Sequence, residues 1–348
     1  MRVLITTVQA PFIRGGAEVH AEQLCQALRG AGHEAEIVAI PFKWYPPERI
    51  LDHILACRLL DITESSGIPV DRVIGLKFPA YLIPHPNKVL WILHQHRAAY
   101  DLWDHPLGDL IRAPNGAGIR DAIVAADRQW IAEARTVFSN SHNVASRLRQ
   151  YCGIDSEPLY HPPQNSDHFY CASDEGYLFY PSRVTASKRQ ALVIEALAQT
   201  TNPVRVRFSG SPETPAFGKE LMAMAHRLKV DDRVAWLGYI TEEEKIDNYA
   251  HSRGVVFPPV DEDYGYITLE AMLSSKPVIT CTDSGGALEF VLDRETGLVV
   301  EPTAASLAAA MDYVWENPGP ARKWGEAGRA RYFAFDISWA RVVKKLLP

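Results

Sequence analysis

The sequence has no C-x-x-C pair, no low-complexity tract and no excess of positive charge. It also has no apolar run of the roughly 18 residues that a membrane-spanning helix needs. Each absence excludes something. The five cysteines, Cys25, Cys57, Cys152, Cys171 and Cys281, are odd in number and irregularly spaced. That argues against a disulfide framework and a structural zinc site, and for a reducing compartment. With residues 1–8 reading as a strand and not as a signal peptide, a cytoplasmic protein is expected. Peripheral contact with the inner face of a membrane stays open. Lys plus Arg number 36 and Asp plus Glu 42, a formal net charge of −6, which offers no electrostatic footprint for nucleic acid. Residues 1–165 hold 16 basic and 17 acidic groups, so this half lacks the basic face of stable docking on anionic lipid.

What is present is ordinary globular material: 348 residues, 47% hydrophobic and 22% charged, enough for a sizeable core. At roughly 150 residues per domain, two domains are expected. Short apolar runs at 2–8, 36–40, 72–75, 89–94 and 137–139 read as buried strands, with helical patterns at 17–28 and 144–151. The proline-rich stretch Tyr160-His161-Pro162-Pro163-Gln164-Asn165 reads as a linker. Alternation then restarts, with strands at 177–180, 204–209, 234–237, 254–257, 277–280 and 297–300. Helices are expected at 188–199, 215–228, 241–251, 268–274, 287–292 and 304–316. The chain therefore reads as α/β, two doubly wound Rossmann-like domains, 1–165 and 166–331, followed by a tail at 332–348. Ligands of such sheets bind at the carboxyl ends of the strands, here in a cleft between the domains.

Several groups fall at those strand ends. Glu262 follows the strand at 254–257, and seven residues separate it from Glu270, expected in the first turn of the next helix with Thr268 near its cap. A helix N-terminus suits an anionic ligand, and a carboxylate there can accept hydrogen bonds from paired sugar hydroxyls. The same acidic residues also suit nothing more than the helix dipole and solvent. Arg183 and Lys188 follow the strand at 177–180; an Arg fork and a Lys point charge can together neutralise a diphosphate. Gly15 and Gly16 precede a helix, where backbone can approach a phosphate or sugar closely. No G-x-G-x-x-G follows the first strand, so dinucleotide binding is the poorer reading. His94-Gln95-His96-Arg97 ends the strand at 89–93.

The segment 234–301 carries E-x7-E from Glu262 to Glu270, then a P-V-I strand and a G-G turn at Gly285 and Gly286. It resembles the C-terminal domain of the GT-B-fold retaining glycosyltransferases of family 4, also called group 1. The resemblance extends to Arg183 and Lys188, which match the family's donor-phosphate pair, to the Gly15-Gly16-Ala17-Glu18 loop, and to His94. It implies two Rossmann-like domains facing a central cleft, with a terminal helix crossing back onto the first. It implies transfer of a sugar from a nucleotide-diphosphate sugar to a hydroxyl acceptor, with retention, no metal and no further cofactor. The residues it makes catalytic are His94, Arg183, Lys188 and Glu262. Those it places on the donor are Gly15, Gly16, Arg183, Lys188, Glu262, Tyr264, Gly265, Tyr266, Glu270, Gly285 and Gly286. For the acceptor, a saccharide, a lipid-linked saccharide or a small molecule, the candidates are His96, Arg97, Tyr100 and Trp103, with the loop 103–118. Synthesis of bacterial surface polysaccharide or glycoconjugate is the expected setting. A catalytically silent sugar-nucleotide-binding subunit and another enzyme of this fold, such as a sugar-nucleotide epimerase, are the alternatives.

Overall fold

A computed structural model describes residues 1–12 and 15–347 and divides into two units, 1–164 with 338–348 and 165–337. Residues 13 and 14 of the expected loop 9–16 and Pro348 of the tail lie outside the described residues.

In the first unit the sheet runs in the order β2-β1-β5-β6-β7-β8 and is parallel throughout. Its strands are β1 (Arg2–Gln9), β2 (Glu34–Pro41), β5 (Arg72–Lys77), β6 (Lys88–His94), β7 (Thr136–Ser139) and β8 (Glu157–Pro158); β3 (Glu64–Ser65) and β4 (Ile68–Pro69) form a separate hairpin. A strand's side chains alternate between faces, so a strand covered on both sides is apolar throughout. On β6, Val89, Trp91 and Leu93 enter one core cluster while Leu90 and Ile92 enter the other. Helix α1 (Gly16–Gly30) packs on the first face through Leu24 and Leu28. On the second face lie α2 (Arg49–Leu59), α3 (Gly116–Ile131) and α4 (His142–Cys152), the last capped by the Ser141 hydroxyl, which accepts from Val144 N at 3.0 Å.

The helix Trp339–Leu346 belongs to this unit. Val342, Val343 and Leu346 join the core of α1, and Lys345 pairs with Glu157 at 2.8 Å. Sequence reasoning starts the tail at 332. In the structure the second unit runs through Ile337, because the preceding helix continues to Ala334.

The second sheet has the order β11-β10-β9-β12-β13-β14, again parallel. Its strands are β9 (Leu178–Pro181), β10 (Val206–Ser209), β11 (Val234–Trp236), β12 (Gly254–Val256), β13 (Val278–Cys281) and β14 (Gly297–Val300). Around it lie α5 (Gln190–Leu197), α6 (Pro215–Arg227), α7 (Glu242–His251), α8 (Tyr266–Leu273), α9 (Ala304–Glu316) and α10 (Pro318–Ala334). Strand order reverses between β9 and β12, which marks the topological switch point.

Three helices escape the sequence reading: α2, α3 and α10. Gly325 and Gly328 lie within α10. A Cβ at Gly325 would lie 1.9 Å from Ser275 O, and one at Gly328 would lie 3.3 Å from Met272 Cγ. These glycines exist so that α10 can lie against the end of α8. Conversely, only a short 3₁₀ turn, Gly286–Glu289, stands where a helix is expected at 287–292.

Candidate functional site

The loops at the carboxyl ends of β9, β12 and β13 interlock. Val260 N donates to Ser187 O at 2.8 Å, joining the β12 and β9 loops. Asp261 N donates to Asp283 O at 2.9 Å and Glu262 N to Ser284 O at 3.2 Å, joining the β12 and β13 loops. Gly286 N returns a bond of 2.7 Å to Glu262 O. A Cβ at Gly286 would sit 2.7 Å from Asp263 O, so only glycine permits this approach. Arg189 closes the ring with a two-pronged ion pair to Asp283, at 2.7 and 2.6 Å. That pair raises the Arg189 guanidinium above its ordinary value.

Lys188 and Glu262 meet inside this ring. The Lys188 ammonium pairs with the Glu262 carboxylate and stands 5.5 Å from the centre of the Phe257 ring. Lys188 ends a 3₁₀ turn, Ala186–Lys188, and Arg189 at φ 56° separates that turn from α5. The lysine is thus on a loop and not on the helix expected at 188–199. Arg183 is exposed, and among the described residues its guanidinium makes no ion pair. An exposed cation and an ion-paired one, beside the backbone N–H of Gly285, form a surface suited to a diphosphate.

Helix α8 begins earlier than expected. Gly265, at φ 86°, is its cap, and Tyr266 its first residue. Thr268 is therefore the third helical position, and Glu270 lies beyond the first turn, which corrects its expected place. Glu270 is 6% exposed and has two partners: Lys245 Nζ at 2.8 Å and the Tyr249 hydroxyl at 2.7 Å. Burial would lower the Lys245 ammonium, but Glu270 and Glu242 hold it above the ordinary lysine value. The Tyr264 ring packs on Tyr266 at 5.1 Å and on Phe290 at 5.8 Å, and burial followed by Glu270 pushes the Tyr266 phenol up.

In the first unit, Gly15 and Gly16 follow β1 and His94 ends β6, both at the carboxyl edge of the sheet. Gly15 N donates to Glu18 Oε2 at 2.7 Å, so Glu18 caps α1. His94 Nδ1 donates to Gln95 O at 2.7 Å. His96 lies 5.6 Å from Phe78 and 6.4 Å from Phe42, and burial, aided by His94, brings its imidazole down to about 4. It is neutral at pH 7. Arg97 is committed to Asp101, at 2.7 Å from Nε. Trp103 lies under the Arg120 guanidinium, 4.7 Å from its ring centre. Tyr100 is a core residue and not an acceptor contact. It is 3% exposed, and its hydroxyl donates to Asp127 at 2.7 Å. The expected loop 103–118 contains a 3₁₀ turn, Leu110–Arg112, and the start of α3.

Sequence reasoning missed Arg189, Asp283, Lys245, Tyr249 and Asp127. The partners lie 94 residues apart for Arg189 with Asp283 and 25 for Lys245 with Glu270, so local spacing carries no signal for either.

Residues 167–331, which hold the whole interlocked ring, match the family described as Glycosyl transferases group 1. The chain carries a glycosyl transferase group 1 domain. The chain is 31% identical over 178 residues to alpha-maltose-1-phosphate synthase of Mycolicibacterium smegmatis, covering 48% of this chain and 46% of the relative. It is 27% identical to the D-rhamnosyltransferase WbpZ of Pseudomonas aeruginosa, over 61% and 54% of the two chains. The chain thus spans about half the length of these curated relatives. Among solved structures, a sucrose-phosphate synthase from Thermosynechococcus elongatus superposes with a TM-score of 0.78 at 16% identity, covering 99% of this chain and 97% of that one. The Anabaena protein HepE, solved in complex with UDP and glucose, superposes at 0.73 with 16% identity, over 99% and 98%. At such identity the likeness concerns the fold, and the fold is GT-B.

Proposed function

We propose that this chain is a retaining glycosyltransferase that moves a sugar from a nucleotide-diphosphate sugar to a hydroxyl acceptor without a metal ion. The observation that carries the reading is the pairing of Lys188 with Glu262 against the Gly285-Gly286 turn at the switch point of the second sheet, on the loop that also carries Arg183. Glycosyl transfer passes through an oxocarbenium-like species while charge grows on the departing diphosphate. Fixed cations and oriented N–H groups stabilise such charge with no reorganisation at the moment of reaction. Arg183 and Lys188 take that role. Glu262, beside the Gly265 turn, holds sugar hydroxyls, and Glu270, oriented by Lys245 and Tyr249, is assigned to the nucleotide ribose. For the first unit the proposal names His94 and the N-terminus of α1 as the groups that meet sugar or phosphate.

A saccharide, lipid-linked or small-molecule acceptor, a cytoplasmic setting and a role in surface polysaccharide synthesis belong to the same proposal. Relatives such as WbpZ support the glycosyl-transfer part by name. Among the described residues no helix is long and apolar enough to cross a membrane.

A thermal-shift panel of nucleoside diphosphates and their sugars, with and without chelator, tests the reading. A ligand at a hundred times its Kd adds about 2.7 kcal/mol of stability. Selective stabilisation by one nucleotide, unchanged by chelator, is expected. A panel without response removes the donor assignment. With the donor named, the anomeric configuration of the product decides retention.

A further inference from the structure

Two reactive side chains converge on one atom at the opposite edge of the second sheet. Lys276 Nζ donates to the carbonyl oxygen of Ala172 at 3.3 Å, and the Cys171 thiol lies 3.8 Å from the same oxygen. Cys171 belongs to the segment before β9, and Lys276 to the turn between α8 and β13. Both line a cavity of about 430 Å³ at the amino ends of β12 and β13, with Asp174, Arg253 and Arg322.

The two groups complement each other chemically. Cys171 is exposed, so an oxidant reaches it. Lys276 is 5% exposed, and among the described residues no carboxylate forms an ion pair with it. Asp174, which lines the same cavity, is paired with Arg253 at 2.5 Å. Burial lowers its ammonium below the ordinary lysine value, although Cys171 and Asp174 oppose the shift. The other cysteines are less accessible: Cys25, Cys57 and Cys281 are buried and Cys152 is partly so.

We propose that Cys171 and Lys276 form a reversible covalent redox bridge, Sγ–O–Nζ, under hydrogen peroxide. The first peroxide converts the thiol to a sulfenic acid: an S–O bond forms, the O–O bond breaks and water leaves. A second peroxide oxidises the amine nitrogen, and the N–O bond closes with loss of water. In sum, one thiol, one amine and two peroxides give one bridge and three waters. The side chains gain one oxygen and lose two hydrogens, and four electrons pass to the two peroxides. A thiol reductant returns thiol and amine. The bridge would tie the segment before β9 to the start of β13.

The test treats the full chain with hydrogen peroxide and follows intact mass, then peptide mapping, then reduction by dithiothreitol. C171S and K276R are treated in parallel. The expected result is a species heavier by one oxygen and lighter by two hydrogens. In it the peptides containing positions 171 and 276 are joined, and it is restored on reduction and absent from both variants. Sulfinic or sulfonic acid at Cys171 with the Lys276 peptide unchanged overturns the proposal, as does a Cys171 that stays reduced. Should K276R fail to fold, C171S, altered at an exposed site, remains the control, and the joined peptide decides.

Discussion

The Lys188 ammonium rests on the Glu262 carboxylate, which lies 74 residues further along the chain. Their side chains are 17% and 22% exposed, so the pair is neither a screened surface contact nor a sealed one. It holds the β9 loop to the β12 loop while leaving both groups within reach of a ligand. An arriving diphosphate competes for the lysine, and a sugar hydroxyl replaces what the carboxylate gives up.

Lys188→Ala should therefore act twice. Loss of the charged hydrogen bond should lower stability by about 1.5–3 kcal/mol, read from denaturant unfolding. The same variant should lose the thermal response to nucleoside diphosphate. Glu262→Gln keeps a hydrogen-bonding group on the lysine, so it should retain most of the stability yet lose transfer by tenfold or more, on the order of one lost transition-state contact. Both variants transferring sugar within a few-fold of the parent would refute the site.

Glu270→Ala should destabilise the second unit by about 1.5–3 kcal/mol, since Tyr249 loses its buried acceptor and Lys245 keeps only Glu242. The pair also sets an alkaline limit. Folding raises the Lys245 value, so its contribution is complete below the unfolded lysine value and is lost as pH rises through the folded one. Melting temperatures across the alkaline range should fall for the parent and be flatter for Lys245→Met.

Gly286→Ala should be costly although it adds one methyl. The new Cβ would fall 2.7 Å from Asp263 O and 3.1 Å from Glu262 O, both backbone atoms that cannot turn aside. Overpacking of this kind costs about 1–3 kcal/mol. Nucleotide response should weaken with it, because the displaced loop carries Glu262. Gly319→Ala, where nothing lies within 4 Å, is the control.

Asp127 should impose an acid-side dependence of unusual sign. It is fully buried, accepting from Tyr81 at 2.9 Å, Tyr100 at 2.7 Å and Gln95 at 3.1 Å. Burial raises its carboxyl to about 6, the hydrogen bonds opposing. A carboxyl raised by folding is most stabilising while protonated, so stability falls as pH rises from the unfolded aspartate value to about 6. The fall is at most about 3 kcal/mol, and Asp127→Asn should abolish it. Unfolding midpoints of parent and variant that run parallel over this interval would contradict the assignment.

The sequence by itself determined the alternation of strand and helix, the two-sheet α/β class, the linker near Pro162 and Pro163, and the strand ends that carry Arg183, Lys188, Glu262, Gly285 and His94. These follow from periodicity and turn chemistry, which act over a few residues. The tertiary structure alone decided what those ends touch. Glu270 reads as a first-turn acid, but Gly265 starts α8 early enough to turn it inward onto Lys245 and Tyr249. Tyr100 reads as an exposed aromatic, but Asp127 from α3 draws its hydroxyl into the core. Gly325 lies inside α10, and the backbone at Ser275 leaves no room there for a Cβ. In each case the deciding partner is remote in sequence, and burial sets the strength of its charge or its contact. No local pattern records either quantity.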